Sequence, residues 1–150
     1  MMLRAWIGNG EAERGSAMVE FAIASTVALT LIFGIIDFGR ALYTYHLVSN
    51  AARLGSRYAM VRGSACAASG CPADATQIQN YVRSLSPGVE PSALAVTTTW
   101  SSAYGCVSAA NHDQHCLVTV QVTYPFSFIV PLMPNFTLPM TSASVMAISQ

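Results

Sequence analysis

Residues 21–36 read FAIASTVALTLIFGII, sixteen consecutive positions without a charged side chain. With Ala17, Met18 and Val19 the run approaches the roughly 20 residues that a helix needs to cross a bilayer. This stretch decides the fold, because the rest of the chain must be arranged around a helix with one end in lipid. A removable secretory signal is the competing reading. It is opposed by residues 1–15, which mix Arg4 and Arg14 with Glu11 and Glu13, and by the lack of a small-x-small cleavage site after the apolar run.

Helical periodicity does not stop at the first charge. In DFGRALYTYHLVSNAARLGSRYAMVRG, residues 37–63, Leu47, Ala51, Leu54, Tyr58 and Val61 fall on one stripe, and His46, Asn50, Arg53 and Arg57 on another. Gly63 is placed to cap the C-terminus. A helix from Ala17 to Arg62 would be about 70 Å long at roughly 1.5 Å per residue, twice what a membrane requires. Half of it therefore projects into water. There the stripe of Leu47, Ala51, Leu54 and Tyr58 has two possible partners, the chain's own C-terminal domain and the helices of neighbouring copies.

Composition agrees with a membrane-associated chain. Of 150 residues, 53% are apolar and 9% charged, which is greasy for a soluble domain. The formal net charge is zero and the seven basic residues are scattered arginines, so there is no electrostatic footprint for nucleic acid. The four cysteines, Cys66, Cys71, Cys106 and Cys116, all follow the apolar run. An even number in a small domain points to an oxidising compartment.

Glu20 stands inside the first turn of the apolar segment. A charge at the bilayer centre costs about 2.5 to 3.5 kcal/mol on insertion scales and less near the interface, where a helix N-terminus offsets part of it. Gly15 lies five residues earlier, and GSAMVEF resembles the processing motif of type IV prepilins. That resemblance implies a prepilin peptidase cutting between Gly15 and Ser16, after a short cytoplasmic leader, residues 1–15. It also implies that Glu20 and Phe21 act in assembly: the new α-ammonium of Ser16 pairs with a neighbour's Glu20 and sets the register.

The resemblance extends to residues 14–59. Val19-Glu20-Phe21, the apolar run, Asp37-Phe38-Gly39-Arg40, and Asn50-Ala51-Ala52-Arg53 with Gly55, Arg57 and Tyr58 are together similar to the TadE/TadG-like family. Many relatives carry a proline in the apolar run, where this chain has Ser25, Thr26 and Val27. The expected helix is straighter for it.

After Gly63 the sequence turns to Ser, Ala, Gly and Cys, followed by a short helical stretch near Ala75–Leu85 and three β-rich runs, 94–100, 116–124 and 140–148. In the second, Val118, Val120, Val122 and Tyr124 alternate with Leu117, Thr119, Gln121 and Thr123, giving one apolar face to cover the aqueous half of the helix. The expected fold is α+β and pilin-like: a long N-terminal helix over 16–62, crossing the membrane at about 18–37, packed on a small antiparallel sheet of about three strands within an extracytoplasmic domain, 63–150. Four cysteines allow three connectivities, of which Cys66 with Cys71 and Cys106 with Cys116 is favoured. A zinc site using Cys106, His112, His115 and Cys116 is the weaker alternative, because the spacing matches no standard finger. YPFSFIVPLMPNF, 124–136, is too short to span and broken by prolines; it either packs on the domain or meets a membrane surface or partner.

No catalytic constellation or cofactor motif is legible. The resemblance implies a non-enzymatic membrane-anchored pseudopilin or minor pilin of a Tad-type pilus or secretion system. Its partners would be the peptidase, other Tad pilins, the inner-membrane assembly platform and the bilayer, with oligomerisation through the N-terminal helix. An unprocessed bitopic accessory protein, or an adhesive module on an anchor, is the alternative. Two arginines before the span against three after it favour a cytoplasmic C-terminus; the cysteines favour the opposite. The cysteines decide the expectation: a single pass through the bacterial inner membrane, N-terminus in the cytoplasm, C-terminal domain outside.

Overall fold

The computed structural model describes the backbone of residues 9–101, 112–129 and 136–149, and side chains within these ranges from residue 15 onward. Residues 1–8 of the leader, Cys106, and residues 130–135 of the proline-broken segment lie outside the described residues. Helix α1, Asn9–Met60, runs 52 residues without a break, about 78 Å at 1.5 Å per residue. Inside the apolar run, Ser25 Oγ and Thr26 Oγ1 donate to the carbonyl of Ala22, and Thr30 Oγ1 to that of Thr26. Each hydroxyl is thereby satisfied within the helix, as a lipid environment demands.

The helix extends further toward the N-terminus than expected and stops two residues short of Arg62. Its C-terminus is closed by the far end of the chain: the carbonyl of Met60 accepts from Ser149 N–H at 3.1 Å and Ser149 Oγ at 3.3 Å. Gly63 is buried beyond this point, and the described glycines with positive φ are Gly70 and Gly88. The expected glycine cap is thus replaced by a tertiary one.

Helix α2, Ala75–Ser84, starts at Asp74, whose side chain accepts from Gln77 N–H at 2.7 Å. Ile78 and Val82, one turn apart, are fully buried. The sheet holds β1, Ala95–Ser101, β2, Leu117–Ser127, and β3, Thr137–Ala147, antiparallel in the order β1-β2-β3. The alternation in β2 works as its sequence implies: Val118, Val120 and Val122 are completely buried under the helices. Three contacts give the direction of packing. Arg40 lies over the Phe126 ring, Ser56 Oγ meets Ser144 Oγ at 2.8 Å, and Met60 meets Ser149, so α1 runs alongside β3 in the same sense. The molecule is a long helix laid on a three-stranded sheet, with its first half projecting beyond it.

The core face of α1 differs from the expected stripe. Val48, Ala51, Ala52, Gly55, Ser56 and Ala59 are buried, while Leu47, Leu54 and Tyr58 are half-buried at its margins. Small residues occupy the centre because the helix comes close to its neighbours. A Cβ on Gly55 would sit 2.8 Å from Val82 Cγ2 and 3.0 Å from Val120 Cγ1. Tyr58 instead stacks on Tyr81, with ring centroids 4.2 Å apart, under the guanidinium of Arg62. His46, Asn50, Arg53 and Arg57 form an exposed face, as their polarity requires.

Cys66 and Cys71 are joined by a disulfide. Cys116 is buried and disulfide-bonded. Its expected partner, Cys106, lies outside the described residues.

Candidate functional site: the projecting helix and its exit from the sheet

From Gly15 to Ile35 every residue of the helix is exposed except the half-buried Ser25. Phe21, Ile23, Leu31 and Ile35 are 62 to 74% exposed, and the span is apolar and long enough to cross a membrane, with none of its most hydropathic window buried. Such a surface is not stable in water and is suited to lipid or to other apolar helices. Ser16 and Glu20 lie exposed on it, and a Cβ added to Gly15 would meet nothing within 4 Å. Gly15, Ser16, Glu20 and Phe21 share one continuous stretch of helix, so the bond between Gly15 and Ser16 is itself helical.

The exit from this segment is organised by Asp37, a residue whose role the sequence did not announce. It is 3% exposed. Its Oδ1 accepts from the Arg40 guanidinium at 2.7 Å, one turn on, and its Oδ2 accepts from the backbone N–H of Ile129 at 2.9 Å. A carboxylate at the edge of an apolar span is tolerable only when paired and hydrogen-bonded, and both conditions are met. The second contact also fixes the end of β2 to the start of the helix's aqueous half. The spacing D-F-G-R gave the Arg40 pair in principle, as an i, i+3 contact. Nothing local could give Ile129.

Beside Asp37 a cleft of about 430 Å³ opens between the helix and the sheet, lined by Arg40, Tyr43, Thr44, Val89, Tyr124 and Phe126. Tyr43 closes one wall by donating from its hydroxyl to the carbonyl of Pro87 at 3.2 Å. Gly88, at φ +84°, lies against the same ring, where a side chain would be both strained and crowded. Below the cleft the rings of Phe126, Phe128 and Phe136 form a chain with centroids 5.1 and 5.7 Å apart. Part of the 124–136 segment is thus strand and part an aromatic cluster at the span's edge.

The histidines considered for metal are arranged otherwise. His112 lies 4.8 Å from Trp100, ring to ring, and the backbone N–H of His115 donates to the carbonyl of Ile148. Among the described residues no group of three or more metal-ligating side chains comes together.

The profile of the family described as TadE-like protein matches residues 15–57. No curated protein and no solved structure matches the chain. The family match begins at Gly15, covers the projecting helix and its exit at Asp37, and ends at Arg57, within the half of the helix that lies on the sheet.

Proposed function

We propose that this chain, TadE-like over its N-terminal helix, is a non-enzymatic membrane-anchored pseudopilin or minor pilin of a Tad-type pilus or secretion apparatus. In this reading a prepilin peptidase cuts between Gly15 and Ser16, and the C-terminal domain lies outside the inner membrane. The observation that carries it is the uncovered helix before Asp37. Its apolar side chains are free to exchange lipid for the helices of other subunits, while the sheet holds only the second half.

The location of Glu20 supports the same reading. It is exposed, close to the N-terminal edge of the apolar run, and four residues beyond Ser16. A new amine on Ser16 of one subunit and Glu20 of its neighbour would form an ion pair in a low-dielectric setting, where an unpaired charge is costly. Such a pair favours one axial offset between helices over others.

One observation favours an unprocessed accessory protein instead: α1 continues through Gly15 to Asn9, so cutting requires local unwinding. Glycine in a helix interior lowers the cost of that step by about 1 kcal/mol relative to alanine.

A photo-crosslinking residue placed at Leu31 in the native host distinguishes assembly from simple anchoring. The pilin reading expects adducts with the N-terminal helix of another pilin-like subunit, and few or none from Thr97 on the outer sheet face. Adducts with lipid alone from Leu31 would reject it.

A further inference from the structure

We infer that the end of the sheet nearest the span is a second membrane contact: Ile129, Phe136 and Leu138, with Phe38 of the helix, enter the interfacial layer of the bilayer. The inference rests on the reading that residues 21–36 cross it.

Sixteen residues of helix span about 24 Å at 1.5 Å per residue, whereas a typical hydrocarbon core is roughly 30 Å thick. The apolar boundary must therefore pass beyond one end of the run or the bilayer must thin. At the Glu20 end an exposed carboxylate resists this. At the other end the carboxylate of Asp37 is buried, with Arg40 on one oxygen and the Ile129 N–H on the other. The missing 6 Å or so corresponds to about four residues, which carries the boundary to the level of Asp37–Arg40.

At that level the sheet presents large apolar side chains. Ile129 is bonded through its N–H to Asp37 and still leaves its side chain 58% exposed; Phe136 is 53%, Leu138 41% and Phe38 65% exposed. Phe136 is held against Phe128, and Leu138 pairs across the sheet with Phe126, so these side chains are fixed by the fold. Large apolar side chains clustered beside a span, rather than scattered, mark a surface that meets lipid.

From Leu117 to Gln150 the chain contains no charged residue. The opposite end of the domain carries Arg57, Arg62 and Asp113; at the end nearest the span the charged side chains are the paired Asp37 and Arg40, and Glu90 next to Val89 of the cleft. The strand ends beside the span therefore bring no charge to it, and the Asp37 carboxylate there is paired with Arg40. Aromatic side chains, Tyr43 and Tyr124 among them, line the intervening cleft at the depth where interfacial aromatics concentrate.

The consequence is a head that rests on the membrane at a set height. Its release requires both the helix and this foot to leave lipid.

The test uses the full chain reconstituted in phosphatidylethanolamine and phosphatidylglycerol vesicles, with and without bromine near the top of the acyl chains. Tryptophan is introduced singly by Phe136→Trp, Phe33→Trp or Val145→Trp, and each is compared with the unsubstituted protein, whose tryptophans are Trp6 and Trp100. Phe136→Trp and Phe33→Trp should lose emission in brominated vesicles, and Val145→Trp should not. Ile129→Trp repeats the measurement if Phe136→Trp does not fold. Quenching at Phe33→Trp without quenching at either foot position overturns the foot and leaves the span intact. No quenching at Phe33→Trp removes the span, and the foot with it. Foot tryptophans shielded from a soluble quencher yet untouched by brominated lipid would assign the surface to a protein partner and overturn the proposal.

Discussion

The backbone N–H of Ile129 donates to Oδ2 of Asp37 across 92 residues of sequence, while Oδ1 of the same carboxylate holds Arg40. One side chain thus joins the end of the apolar helix to the end of β2. Removing it by Asp37→Ala takes away the acceptor of the part-buried Ile129 N–H and the ion pair with Arg40, a loss of roughly 1–3 kcal/mol. Asp37→Asn retains an acceptor and should lose less. Thermal unfolding of the purified protein in detergent checks both; equal stability of all three proteins would show that the contact contributes little.

Gly55 is set by close approach to Val82 and Val120. Gly55→Val should destabilise by about 1–3 kcal/mol through overpacking. In Gly55→Ala the same crowding is opposed by a helix-propensity gain of up to about 1 kcal/mol, so its effect should be clearly the smaller. Denaturant titration orders the two variants, and a neutral Gly55→Val would mean the helix can move away from the sheet at no cost.

The bridge between Cys66 and Cys71 closes a short loop ahead of α2. Replacing both with serine should cost roughly 2 kcal/mol if loop entropy governs the effect. Alkylation of the unreduced protein should find no free thiol and, after reduction, four. Four thiols without reduction would contradict both the bridges and an oxidising location for the domain.

Glu20 is exposed on the projecting helix, so Glu20→Gln should leave the unfolding midpoint of the isolated protein unchanged. In the native host, assembly of the processed protein should fall. Cleavage together with undiminished assembly would remove the register role.

The fold was legible where a pattern is local. An uncharged run of sixteen residues announces a span, and Val118, Val120 and Val122 announce a strand with one buried face. Less legible were features whose cause lies elsewhere in the chain. Hydropathy draws attention to Leu47, Leu54 and Tyr58, but the centre of the interface belongs to Ala52, Gly55 and Ser56, where small size permits contact. The helix stop at Met60 depends on Ser149, and the burial of Asp37 on Ile129. The spacing A-A-x-x-G-S-x-x-A in residues 51–59 was the one available signal of close packing.

In the proposed function the projecting helix becomes an assembly surface after a cut behind Gly15. The intact mass of the protein from its native host tests this most directly. A species beginning at Ser16, lighter by residues 1–15, is expected, and it should disappear in Gly15→Leu. A native protein that still begins at Met1 would contradict it.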